Sequence, residues 1–183
     1  MNALSNVLYF LVDTLFSLYI ALIMIRLLLG IARADFRNPV SHFIIAATNP
    51  VLKPLRALLP ALGKIDTAAI VAMLALKVVQ LGLLLLIRGQ APSLLPLIWY
   101  ATLQLLELAV YVYIFALIIQ AVISWVNPQA LYGGNPVGSL LNSLTRPIVA
   151  PIARIVPPIG MVDISPLIAI LLLNIVLIVI RSF

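Results

Sequence analysis

Cysteine is absent from the chain and histidine occurs once, at His42. Without cysteine there is no disulfide, thiolate-bound zinc, iron–sulfur cluster or thioether-linked haem on this chain, and one histidine cannot form a cluster. Charge is scarce too: 9% of residues are Asp, Glu, Lys or Arg, against about one quarter in soluble domains. No Gly-rich phosphate loop, nucleophile elbow or paired catalytic carboxylate motif is present. These absences speak against an enzyme, and neither a cofactor nor a metal site is expected. The first basic residue is Arg26, so the opening stretch lacks the positive start of a secretory signal and is expected to be retained as a membrane helix.

What the chain has in quantity is apolar surface. Of its 183 residues 64% are hydrophobic, with mean hydropathy +1.24. A soluble fold of this size leaves much of its surface in water and could not hide that much. Four stretches reach the roughly 20 apolar residues a bilayer crossing takes: Val7–Ala32, Thr67–Ile87, Leu95–Val126 and Ile164–Ile180. Trp99 and Tyr100 open the third and Trp125 closes it, as interfacial anchors do.

Between the first and second stretches, and between the third and fourth, lies the same proline-rich segment. A shift of 97 residues carries Asn38-Pro39-Val40 onto Asn135-Pro136-Val137 and Thr48-Asn49-Pro50 onto Thr145-Arg146-Pro147. It also carries Pro54, Pro60, Gly63 and Asp66 onto Pro151, Pro157, Gly160 and Asp163, with no gap. Before Asn38 the shift is 94, which implies three extra residues around Leu131–Gly134 and sets Arg26 against Gln120 and Asp13 against Glu107. Such self-similarity marks an internal repeat. The repeats are 1–90 and 91–183, with amphipathic segments 38–60 and 135–157. The fold expected is all-α, with four transmembrane helices in two parallel, pseudo-symmetric hairpins, since an even number of crossings returns each copy to the same side.

The loop after the first stretch carries Arg33, Arg37, Lys53, Arg56 and Lys64; that after the third carries Arg146 and Arg154. The positive-inside rule places both loops in the cytoplasm and both termini outside an inner membrane. The net charge of +6 then reports topology and contact with anionic head groups, and no nucleic acid is expected because no basic run interleaves with aromatics. Asn38 and Pro39 suit the cap and first position of a helix. That helix is expected to stop before Pro50, which starts a second short one. In the second, Val51, Leu52, Leu55, Leu58 and Leu59 share a face, repeated by Ile148, Val149, Ile152, Ile155 and Val156. Each segment either lies in the head-group layer or dips to line a cavity. Asp66 and Asp163 precede the next spanning stretch, where a carboxylate caps a helix.

These residues resemble the YggT family of small bacterial membrane proteins, which has cyanobacterial and plastid relatives. Its unit reads as a helix ending in Arg, then Ser-Trp, Asn-Pro-(Ile/Val), Thr-x-Pro-x-x-x-Pro, a basic residue and Pro, closing with Gly-x-x-Asp-x-Ser-Pro. The first copy matches through Arg26, Asn38, Pro39, Thr48, Pro50, Pro54, Arg56, Pro60, Gly63 and Asp66, but has Gly30-Ile31 for Ser-Trp and Ala68-Ala69 for Ser-Pro. The second has Ser124-Trp125, Asn135-Pro136, Thr145, Pro147, Pro151, Arg154, Pro157, Gly160, Asp163 and Ser165-Pro166, but Gln120 for Arg. The resemblance implies an inner-membrane protein linked to osmotic-stress tolerance and potassium balance. Other members are linked to cell division or to haem attachment in a membrane cytochrome complex. It supplies no catalytic residue. A non-enzymatic scaffold or auxiliary subunit is expected; a channel component acting as an oligomer and an assembly factor are the alternatives. A homo-oligomer or a membrane-protein partner is expected with any of them.

Ionisable groups inside a spanning helix are functional hypotheses by default, because each costs a few kcal/mol or more unless paired. Asp13, Lys77, Glu107 and Asn174 could line an ion path, joined by Gln120, or could fasten helices together by pairs and hydrogen bonds. Lys77 and Glu107 are expected near mid-depth and able to pair, with Asp13 competing. Arg26 is near enough to a helix end to snorkel. Gln80 and Gln104 face the same choice, and His42 is expected to be wet.

Overall fold

The computed structural model describes residues 2–63, 65–126, 135–156 and 164–183, apart from the side chain of Trp125. Among these residues the chain is helical: α1 (Ala3–Ile31), α2 (Pro39–Leu58), α3 (Thr67–Ile87), α4 (Leu94–Val126), α5 (Pro136–Ile155) and α6 (Ser165–Arg181). Three are long and apolar enough to cross a membrane, namely α1, α3 and α4 over Leu94–Ser124; α6 is an apolar helix of 17 residues. The four expected stretches coincide with α1, α3, α4 and α6 to within a few residues. Pro157, Gly160, Asp163 and the three inserted residues near Leu131–Gly134 lie outside the described residues.

Apolar side chains cover the outside of these helices. Leu15 on α1, Phe115 on α4 and Ile178 on α6 are 63%, 66% and 70% exposed, a surface suited to lipid, not water. The C-terminal half of α1 is buried, through Ile20, Ile23, Met24, Leu27, Leu28 and Leu29. The chain divides into two compact units, Met1–Leu27 with Ile44–Leu108, and Leu28–Phe43 with Ala109–Phe183. This division cuts through α1, α2 and α4, so the compact units are a different partition from the sequence repeats.

The connecting segments depart from expectation. Each is one continuous helix of 20 residues, α2 with Pro50 and Pro54 inside it and α5 with Pro147 and Pro151, where two short helices were expected. Prolines four apart fall on one face, so both missing N–H groups lie on one side of the helix. In α2 the carbonyls that lose a partner belong to Ala46 and Pro50, which are exposed and so open to other donors. The turn before the proline is tied locally, because Thr48 Oγ1 donates to the Ile44 carbonyl at 2.6 Å and Thr145 Oγ1 to the Leu141 carbonyl at 2.9 Å. Ser41, Ile44, Thr48 and Leu52 form a buried stripe of α2 at helical spacing, and Leu52 also belongs to the apolar face that the sequence marks. Leu58 and Ile155, at the ends of the two apolar faces, are 77% and 82% exposed.

The caps follow the sequence. Asn38 Oδ1 accepts from the Ser41 N–H at 2.9 Å to start α2, and Asn135 Oδ1 from the Val137 N–H at 3.0 Å to start α5. Asp66 divides its carboxylate: Oδ1 accepts from the Ala69 N–H at 3.3 Å, capping α3, while Oδ2 accepts from Arg56 Nε at 3.0 Å and from Arg56 Nη2. Gly63 has φ +63°, a conformation that suits glycine, in a turn closed by two reciprocal Leu62–Ile65 backbone bonds of 3.1 Å. Ser165 and Pro166, in the first turn of α6, stand where the first repeat has Ala68 and Ala69; Ser165, Ala68 and Ala69 are fully buried.

Candidate functional site

α1 and α3 run antiparallel, as their contacts show: Arg88 stacks on the Tyr9 ring at 4.5 Å, and Gln80 bonds Asp13 and Ser17 further along. Gln80 is completely buried and is the hub. Its Nε2 donates to Asp13 Oδ1 at 2.8 Å, to the Asp13 carbonyl at 3.1 Å and to Ser17 Oγ at 2.9 Å. Its Oε1 accepts from Lys77 Nζ at 3.1 Å. A side-chain amide has two donor hydrogens and one acceptor oxygen; here both ends are engaged. The carboxylates of Asp13 and Glu107 both act electrostatically on Lys77. A neutral amide therefore joins the cationic Lys77 on α3 to the acidic Asp13 on α1, and the second acidic group, Glu107 on α4, acts on Lys77 electrostatically.

Arg26 is 8% exposed and does not snorkel. Its Nη1 donates to Thr48 Oγ1, to Asn49 Oδ1 at 3.1 Å and to the Ile45 carbonyl at 3.4 Å. It fastens the end of α1 to α2 beside the first internal proline. An uncompensated guanidinium there would be costly, and three acceptors on one helix turn supply the compensation. Tyr19, about two turns earlier on α1, donates to the Ala47 carbonyl at 3.3 Å, on that same turn of α2.

The second repeat makes the same joint with different atoms. Gln120, the counterpart of Arg26, bonds Thr145, the counterpart of Thr48. Thr145 Oγ1 meets a neutral amide, that of Gln120, whereas Thr48 accepts from the charged Arg26. The basic group has moved: Asn49, bonded to Arg26 in the first repeat, is replaced by Arg146, which is exposed.

The expected polar residues thus separate into groups. Asp13 and Lys77 meet at Gln80, with Glu107 acting on Lys77. Arg26 and Gln120 belong to two threonine joints. Asn174 is exposed, and its Nδ2 donates to the Ile170 carbonyl of its own helix at 2.8 Å. It lies in the compact unit that contains α6, whereas the Gln80 cluster lies in the other. In that same unit Arg181 bonds the Tyr111 hydroxyl and lies 5.7 Å from its ring. His42 and Ser124 are exposed.

Sequence reasoning took Thr48 and Thr145 as motif members and missed them as partners of Arg26 and Gln120. The signal was present: each repeat sets one polar residue near the end of its first helix and one threonine two residues before a proline. Ser17 carried no signal, because a serine on an apolar helix commonly bonds its own backbone.

The CCB3/YggT family model matches residues 5–87 and again residues 99–183, consistent with two repeats. The chain is 39% identical over 170 residues to a Vibrio alginolyticus protein described as "Uncharacterized protein in proC 3'region", covering 92% of this chain and 88% of that one. It is 34% identical over 172 residues to "Uncharacterized protein YggT" of Escherichia coli K12, covering 93% and 87%. An uncharacterized protein of Pseudomonas aeruginosa is 34% identical over 178 residues, covering 96% and 89%. No solved structure matches the chain significantly.

Proposed function

The chain belongs to the CCB3/YggT family, and we propose that it is a non-enzymatic inner-membrane scaffold or auxiliary subunit. In this reading α1, α3, α4 and α6 cross the bilayer as two parallel hairpins. α2 and α5 lie at the cytoplasmic interface and both termini lie outside. The basic residues support that orientation, since Arg33, Arg37, Lys53, Arg56, Arg146 and Arg154 all fall on the connecting segments. The physiological setting we assign, osmotic-stress tolerance and potassium balance, comes from the family resemblance.

The observation that carries the reading is the closed hydrogen-bonding of Gln80. A path for ions needs polar groups that exchange partners with a passing ion or water. Here the amide is fully buried, with Asp13 and Ser17 on one side and Lys77 on the other. Such a cluster is suited to holding α1 and α3 together. A channel component is the second reading, favoured by two carboxylates that act on a lysine of a spanning helix. Replacing Glu107 by Gln separates the two. Reduced abundance and a lower melting temperature are expected of a fastening role; normal abundance with loss of a measured ion flux would establish the path.

A further inference from the structure

α1 closes with paired backbone bonds, Ala34 N–H to the Leu29 carbonyl at 3.0 Å and Arg33 N–H to the Gly30 carbonyl at 3.1 Å. This closure puts residue 33 in the left-handed region, at φ +54°. Glycine is the usual occupant there, because a Cβ crowds the following carbonyl. The chain has an arginine at this place despite that cost, and a strained residue directs attention to what its side chain does. Arg33 lines an open cleft of about 390 Å³ together with Asn142, Ser143, Arg146 and Arg154 of α5. All of these belong to the compact unit Leu28–Phe43 with Ala109–Phe183.

Among its described lining residues the cleft has three guanidiniums and no carboxylate. None of the three is ion-paired with a described residue. The repeat shows how one of them came to be there. In the first repeat the arginine sits on α1, and Asn49 on α2 accepts from it; in the second the amide, Gln120, sits on α4 and the arginine, Arg146, lines the cleft. The Thr145 joint is therefore made without a charge, which leaves Arg146 available to something else. Two lining residues also offer acceptors: the carbonyls of Ser143 and Pro147 have no helical N–H partner, since residues 147 and 151 are proline.

We propose that this cleft binds the glycerophosphate head group of an anionic phospholipid. The guanidiniums engage the phosphate diester, and the carbonyls of Ser143 and Pro147 accept from the glycerol hydroxyls. Inorganic phosphate shares the anionic chemistry but brings few donors to those carbonyls, which favours the lipid source. The proposal rests on the membrane-embedded reading above and adds to it one defined site on the second repeat.

The test is lipid retention by the full chain in phosphatidylcholine nanodiscs containing a minor fraction of phosphatidylglycerol, read by native mass spectrometry. Wild type is expected to retain phosphatidylglycerol preferentially. Arg33→Gly and Arg146→Gln are each expected to lower that retention about fivefold, the effect of roughly one basic group at an anionic surface. Lys53→Gln removes the same charge outside the cleft and should lower retention by clearly less than either cleft variant. Arg33→Gly relieves the left-handed backbone, so it should melt no lower than wild type, and its loss of lipid cannot be assigned to unfolding. Equal loss in Lys53→Gln, or no preference over phosphatidylcholine, would overturn the site. Displacement of the lipid by inorganic phosphate would overturn the lipid assignment. Failure of the chain to enter nanodiscs at all is a separate outcome, which overturns the membrane reading and the site with it.

Discussion

Arg26 near the end of α1 donates to Thr48 in the middle of α2, two residues before a proline. The bond ties a buried charge to the weakest turn of the connecting helix, where Pro50 supplies no N–H. Its counterpart in the second repeat, Gln120 with Thr145, makes the same connection without charge. A polar residue on the first helix of a repeat thus holds the proline-containing helix in place, and the two repeats use different chemistry to do it.

Thr48→Val and Thr145→Val should separate the two chemistries. Thr48→Val leaves Arg26 with Asn49 Oδ1 and the Ile45 carbonyl, and loses a bond to a charged group, about 1.5–3 kcal/mol. Thr145→Val loses a neutral bond, about 0.5–1.5 kcal/mol. Thermal melting in mild detergent should rank wild type highest, Thr145→Val next and Thr48→Val lowest. Equal shifts would contradict the assignment of the charged joint to the first repeat.

Replacing Arg26 tests whether the repeats are interchangeable at this point. Gln at position 26 can bond Thr48 as Gln120 bonds Thr145, whereas Leu cannot. Arg26→Gln should therefore melt above Arg26→Leu by an amount corresponding to about 1 kcal/mol. Identical melting of the two variants would mean that the threonine joint contributes nothing.

Gln80→Leu removes the hub of the cluster on α1 and α3. Asp13, Ser17 and Lys77 each lose a partner at once, and burying polar groups without partners costs about 1–3 kcal/mol apiece. Steady-state abundance in the membrane and melting temperature should both fall, by more than for Thr145→Val. A Gln80→Leu protein with wild-type abundance and melting would show that the amide does not hold these helices.

Much of this fold is visible in the residues. The apolar stretches gave α3 to the residue, because Asp66 caps it at one end and Arg88-Gly89 stops it at the other. Asn38 and Asn135 mark the starts of α2 and α5. The continuity of those helices past Pro50 and Pro147 was not visible, because local rules make proline a helix boundary. Here prolines four apart share one side, and the threonine two residues earlier bonds the preceding turn. The site was half visible: polar residues in apolar helices marked themselves, but their partners did not. Depth marked Glu107 and Asp13 as competing partners of Lys77, and both carboxylates act on it. What depth could not show is that Lys77 donates to Gln80, which lies three residues along its own helix and reaches Asp13 on α1. Asn174 shared a repeat position with Lys77 without sharing its surroundings, because a short amide can satisfy itself on its own helix.

The central claim is that the polar residues within the spanning helices fasten them together and do not conduct. Potassium and proton flux across proteoliposomes holding only the purified chain tests it most directly. The account predicts flux equal to that of empty liposomes, with Lys77→Met changing melting temperature and not flux. Flux above empty liposomes that Lys77→Met abolishes while the protein still melts normally would contradict it.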